Sequence, residues 1–87
     1  MDFPFEQQNI SEKEFIRTFS EDVPKEELQW HWDDEDREVE VLENANWQIQ
    51  FDNQLPQIMK GKYFIPKNSF HRVIRGDGDL KVKIFLC

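Results

Sequence analysis

The chain holds only two histidines, each in a run of strand-forming residues: Trp30-His31-Trp32-Asp33, and Phe64-Ile65-Pro66 through Phe70-His71. Neutral imidazole is the commonest side-chain ligand for transition metals, and carboxylate oxygen binds them too. Alternate residues of a strand share a face, so His31 and Asp33 point the same way. Strands that bring His31 and His71 together would offer both imidazoles to one ion, with a carboxylate beside them. The bland alternative is a core histidine at 71, bonded to a backbone carbonyl, and an exposed His31 beside an acidic turn.

Other chemistry-bearing groups point less far. Asp33-Asp34-Glu35-Asp36 lacks the glycine and distal glutamate of a calcium-binding loop and reads as a solvated turn. Gly76-Asp77-Gly78-Asp79 reads as a hairpin turn rather than a phosphate loop. No serine, histidine and acid set resembles a hydrolytic triad. Arg75 shares the face of His71, and its planar fork suits a carboxylate; a surface ion pair with the abundant acids is the competing reading.

Composition narrows the classes. Eighty-seven residues suit one domain, and 38% hydrophobic content with three Trp and eight Phe can supply its core. A net charge of −7 argues against nucleic acid or an anionic membrane as partner, because phosphate binding needs clustered Lys and Arg. The one cysteine, Cys87, cannot form an internal disulfide. No apolar run approaches the roughly 20 residues that span a bilayer, and Met1-Asp2 does not resemble a secretory start. A soluble cytoplasmic protein is expected.

The elements that must position the histidines follow from periodicity. Residues 1–26 read as an N-terminal arm with a short α-helix over 10–20. Ser11 and Glu14 form a capping box, Ile10 can staple to Phe15, and Phe15, Ile16 and Phe19 form an apolar stripe ended before Pro24. From residue 27 the period changes to two. Strands are expected over 27–32, 37–42, 46–51, 55–59, 63–66, 71–75 and 80–86, joined by short turns. Closely spaced strands without helices between them imply antiparallel hairpins in a small sandwich or barrel. Gln29, His31, Asp33, Glu38, Gln48 and His71 either face water or converge on a polar barrel interior.

Over about residues 28–84 the chain resembles the cupin superfamily, small antiparallel barrels with two short motifs. The first reads His-x-His, three or four residues, then Glu; His31, Asp33 and Glu38 follow it, with Asp33 in place of the second histidine. The second reads Gly, a strand, Pro-x-Gly, two residues, then His. Gly61, Pro66, Asn68 and His71 follow that pattern, with Asn68 in place of glycine, and asparagine tolerates the left-handed conformation such a turn needs. The resemblance implies an all-β fold, a small antiparallel double-stranded β-helix over 27–87.

It also implies a divalent transition metal held by His31, Asp33 and His71, with Glu38 as a fourth ligand or a partner of the ligands. Two imidazoles and a carboxylate suit non-haem iron(II), so Fe(II) is the first expectation, with Mn, Ni or Zn as alternatives. Gln48, Gln50 and Arg75 are the candidate substrate-pocket residues, and a homodimer is expected to cover exposed aromatic side chains. Three functional classes stay open: a metal-dependent oxygenase or isomerase acting on a small molecule, a non-catalytic ligand-binding module, and a structural or interaction module without metal. His-x-Asp with a distal His is also similar to the 2-oxoglutarate-dependent oxygenases, where Lys81 would stand near the basic residue that grips the cosubstrate.

Overall fold

Alternation of apolar and polar residues, expected from residue 27, already governs the chain near its start. The computed structural model describes residues 5–87. Its strands are β1 (Glu6–Asn9), β2 (Glu14–Phe19), β3 (Arg37–Glu43), β4 (Gln48–Phe51), β5 (Gln57–Ile58), β6 (Lys62–Ile65), β7 (His71–Ile74) and β8 (Leu80–Leu86). They form a five-stranded sheet in the order β1-β2-β8-β3-β6 and a three-stranded sheet in the order β5-β4-β7. Every strand pair is antiparallel. Among the described residues the two ladders stay separate and do not close into one hydrogen-bonded ring.

The expected N-terminal helix is not formed; the only helical element among the described residues is a 3-10 turn, Lys25–Glu27. Residues 6–19 make a hairpin instead, and β2 lies along β8 with Phe15 opposite Ile84, Arg17 opposite Val82 and Phe19 opposite Leu80. An isolated helix of this length is marginal in water, whereas the strand buries Phe15 and pairs its backbone on both sides. The capping serine serves the hairpin turn: Ser11 Oγ accepts the Lys13 N–H at 3.4 Å, and the Ile10 and Ser11 N–H groups both donate to the Glu14 carbonyl. A second correction concerns residues 27–32, which form no strand; their backbone pairs with β7 through one isolated bridge, His31 to His71.

The core lies between the sheets. Phe15, Val39, Trp47, Ile49, Met59, Ile65, Leu80, Val82 and Ile84 form one buried cluster, with Trp47 and Leu80 fully enclosed. Burying a large apolar side chain contributes about 1.5–3 kcal/mol. The indole of Trp47 donates to the Gly78 carbonyl. Asn44 holds the same turn, accepting the Trp47 N–H at 2.8 Å and donating to the Met59 carbonyl at 2.6 Å. At Gly76 the backbones approach so closely that a Cβ would lie 2.0 Å from the Ala45 carbonyl oxygen, so only glycine fits. No helix among the described residues is long and apolar enough to cross a membrane.

Candidate metal centre

His31 and His71 face each other across an antiparallel bridge in which each N–H donates to the other's carbonyl at 2.9 Å. Residues so paired project their side chains to the same side, and the imidazole centroids lie 4.4 Å apart. Each ring is fixed by its own chain two residues back. His31 Nδ1 lies 2.9 Å from the Gln29 carbonyl oxygen, and His71 Nδ1 lies 2.8 Å from that of Ser69. A carbonyl can only accept, so Nδ1 carries the proton in both rings and Nε2 presents its lone pair, as in protein ligands of metals.

Asp33 completes the group. Its Oδ2 lies 3.5 Å from His71 Nε2 and is buried without any hydrogen-bond partner, an arrangement that costs free energy unless another group satisfies the oxygen. One donor atom from each of His31, Asp33 and His71 can be chosen so that all lie within 4.8 Å of one another. Ligand atoms on a tetrahedral zinc-sized ion stand about 3.3 Å apart, so closing on an ion needs side-chain shifts of about 1 Å. Burial, and secondarily the neighbouring His31, hold the His71 pKa below its usual value, partly opposed by the Ser69 bond and Asp33. The ring is thus neutral and ligand-ready near pH 7. The donor set fits a divalent transition metal.

The turn before His71 behaves as the motif requires. Asn68 has a left-handed backbone, φ 64°; its N–H donates to the Asp33 carbonyl at 2.8 Å, and the Lys67 N–H donates to Asp36 Oδ1 at 2.8 Å. The acidic stretch 33–36 is therefore clamped to the turn that delivers His71.

The remaining expected residues lie elsewhere. Glu38 is exposed and projects from the outer face of β3, because Val39 is buried in the core. The inward place is taken by its neighbour Arg37, which lines the intersheet cavity. Gln50 accepts a hydrogen bond from Arg72 Nε at 2.9 Å, Arg75 Nη1 donates to the Val23 carbonyl at 2.9 Å, and Gln48 is half-buried. None of Glu38, Gln48, Gln50 or Arg75 borders the cavity. Lys81, between buried Leu80 and Val82, also faces away from it, so nothing at that position resembles a cosubstrate clamp.

That cavity, about 130 Å³, is bordered by the His31, Asp33 and His71 group, by Arg17 and Arg37, by Tyr63, and by apolar residues such as Val39, Ile49 and Val82. Burial pushes the Tyr63 phenol well above its ordinary pKa, which keeps it a hydroxyl at neutral pH. Arg17, Arg37 and Tyr63 are absent from the expected site. For Arg37 the signal was present, since Val39 and Val41 fix which parity of β3 turns inward. For Arg17 the alternation Phe15, Arg17, Phe19 was masked by the capping box.

No family model matches the sequence, and no curated protein matches it. Solved structures do match. A cupin domain from Bordetella pertussis Tohama I is 18% identical with a TM-score of 0.62, covering 100% of this chain and 98% of its own. DMSP lyase DddQ from Ruegeria pomeroyi DSS-3 is 10% identical with a TM-score of 0.75, over 95% of this chain and 46% of its own. The Fe(II) form of HppE is 14% identical with a TM-score of 0.63, over 85% of this chain and 41% of its own. The chain spans less than half the length of those two enzymes and nearly all of the cupin domain. With two facing antiparallel sheets and both histidines at one mouth, the chain has the cupin fold.

Proposed function

We propose that this protein holds a divalent transition metal, Fe(II) in the first instance, through His31, Asp33 and His71, and acts as a metal-dependent enzyme on a small molecule. The reading is carried by one observation: two imidazoles with Nδ1 tied to carbonyls converge with the unpartnered buried oxygen of Asp33. Three protein ligands leave coordination positions for water or substrate, and an ion so held supplies a Lewis acid. The residues of the chain do the rest. Gln29 and Ser69 orient the rings, apolar walls line the cavity behind them, and Tyr63 offers a protonated hydroxyl at the wall. Structural neighbours named as a lyase and as an Fe(II) protein support metal-dependent chemistry on this fold. Glu38 is not part of the proposed set.

Metal content of protein purified without an affinity tag tests the reading. About one ion per wild-type chain is expected, and none in His71→Ala. A wild-type chain that stays empty after anaerobic loading with Fe(II), and with Mn(II) or Zn(II), ends it. Oxygen consumption or product formation with small-molecule panels then separates an enzyme from a metal-holding binding module.

A further inference from the structure

A chain with net charge −7 has turned two of its four arginines into the cavity that holds the histidines, and no lysine lines that cavity. Arg17 stands on β2 opposite Val82, which pairs in turn with Val41 of β3. Its guanidinium lies 4.8 Å from the ring centre of Phe15 and 4.1 Å from that of Phe5. Arg37, which opens β3, borders the same cavity. Arg17 Nε donates to Gln7 Oε1 at 2.9 Å. Among the described residues no carboxylate lies within ion-pair distance of Arg17, and its terminal amino groups donate no hydrogen bond. Arg37 is engaged on one side only: Nη2 lies 3.1 Å from Glu35 Oε1 and 3.6 Å from Asp33 Oδ1, whereas its buried Nε has no acceptor.

Two guanidinium groups thus face one small cavity with donors unspent, in a place where burial and the charge of Arg37 already pull the Arg17 pKa down to about 10. Arg17 is half-buried, with one hydrogen bond to Gln7 and two aromatic rings but no carboxylate against it, and arginine, unlike lysine, presents a planar fork that matches a carboxylate with two parallel bonds. We propose that Arg17 and Arg37 form an anion subsite beside the His31, Asp33 and His71 group, and that the ligand of this cavity is a small carboxylate. A single carboxylate is the fit, because Asp33 and Glu35 lie on the Arg37 side at 3.6 and 3.1 Å, which leaves the unused terminal donors of Arg17 for one small anion. A cavity of about 150 Å³ admits benzene, so the 130 Å³ here takes a carboxylic acid of a few carbons. The subsite names the substrate class of the pocket assigned above, but its affinity comes from the arginines and not from the ion.

The test is an NMR titration at low ionic strength with propionate, its uncharged isostere propionamide, and inorganic phosphate, on metal-loaded protein and again after chelation. Propionate is expected to bind both forms, and propionamide to bind the chelated form at least tenfold more weakly. Arg17→Leu is expected to weaken propionate about tenfold to a hundredfold, the loss of charge-assisted hydrogen bonds, with metal content unchanged. The same variant without ligand is expected to melt at or above the wild-type temperature, where a merely structural arginine would lower it. Arg17→Lys, which keeps the charge without the fork, is expected to fall between and serves if the leucine variant does not fold. Equal propionate affinity in wild type and Arg17→Leu, no propionate binding by either form, or tighter binding of phosphate than of propionate overturns the proposal. A chain without metal that still binds propionate through Arg17 refutes the metal reading alone.

Discussion

The space between the two sheets ends differently at its two sides. On one side Trp47 and Leu80 are fully enclosed, Phe19 packs against Trp47 with ring centres 5.8 Å apart, and Gly76 brings the backbones together. On the other, Arg37 opens β3, His71 opens β7 and Asp33 reaches in from the loop. Inward positions of the same strands supply both, so Arg37 precedes Val39 and Val41 as His71 precedes Val73. The difference lies in what surrounds them. The closed end offers packing and the carbonyl that takes the Trp47 indole, whereas the carbonyls of Gln29 and Ser69 and the carboxylate of Glu35 give the polar end partners for its rings and one of its guanidiniums. The same pair of sheets thus builds a core at one end and a site at the other.

The largest effect is expected where packing is complete. Trp47→Ala removes the largest enclosed side chain and its bond to Gly78, and should cost about 3–5 kcal/mol by chemical denaturation. For a domain of this size that is much of the total stability. A loss below about 1 kcal/mol would break the comparison, since the closed end would then be no better packed than the mouth.

A smaller effect, opposite in kind, belongs to His71. It is buried and held neutral, with a native pKa below the usual 6.5. The unfolded chain therefore takes up this proton first as pH falls, and stability contributed by the neutral ring is lost progressively below about pH 6.5 until the native ring is also protonated. Metal affinity falls in the same direction, because the proton competes for Nε2. Denaturation of metal-free protein between pH 8 and pH 5 should show this slope, and His71→Gln should flatten it. An unchanged slope in His71→Gln would assign the acid sensitivity to the carboxylates alone.

The two ends also differed in how far the sequence revealed them. Period-two patterning announced β3, β4, β6, β7 and β8, because one face of each is buried and the other is wet. The pairing of His31 with His71 was legible from motif order even though residues 27–32 form no strand: one bridge suffices to align two rings. Local signals misled where a distant strand decided the outcome. Ser11, Glu14 and the 10–20 stripe are consistent with a helix until β8 is present to bury Phe15. The place of Glu38 turned on parity, and the two valines that follow it assign the inward face to Arg37.

The smallest expected effect tests the joint between mouth and core. Asn68 holds a left-handed backbone at φ 64°, and its N–H ties the turn to Asp33 while the next residue's carbonyl orients the His71 ring. Asparagine adopts this region at modest cost and glycine at none, so Asn68→Gly should change stability by less than about 1 kcal/mol and leave metal content as it is. Asn68→Val, β-branched and strained there, should cost about 1–2 kcal/mol. Metal affinity should follow only the second variant, because the valine must shift the Ser69 carbonyl to relieve its strain. If the glycine variant instead loses metal at unchanged stability, rigidity of the turn matters more than its shape, and the mouth is organised by the loop rather than by the sheets.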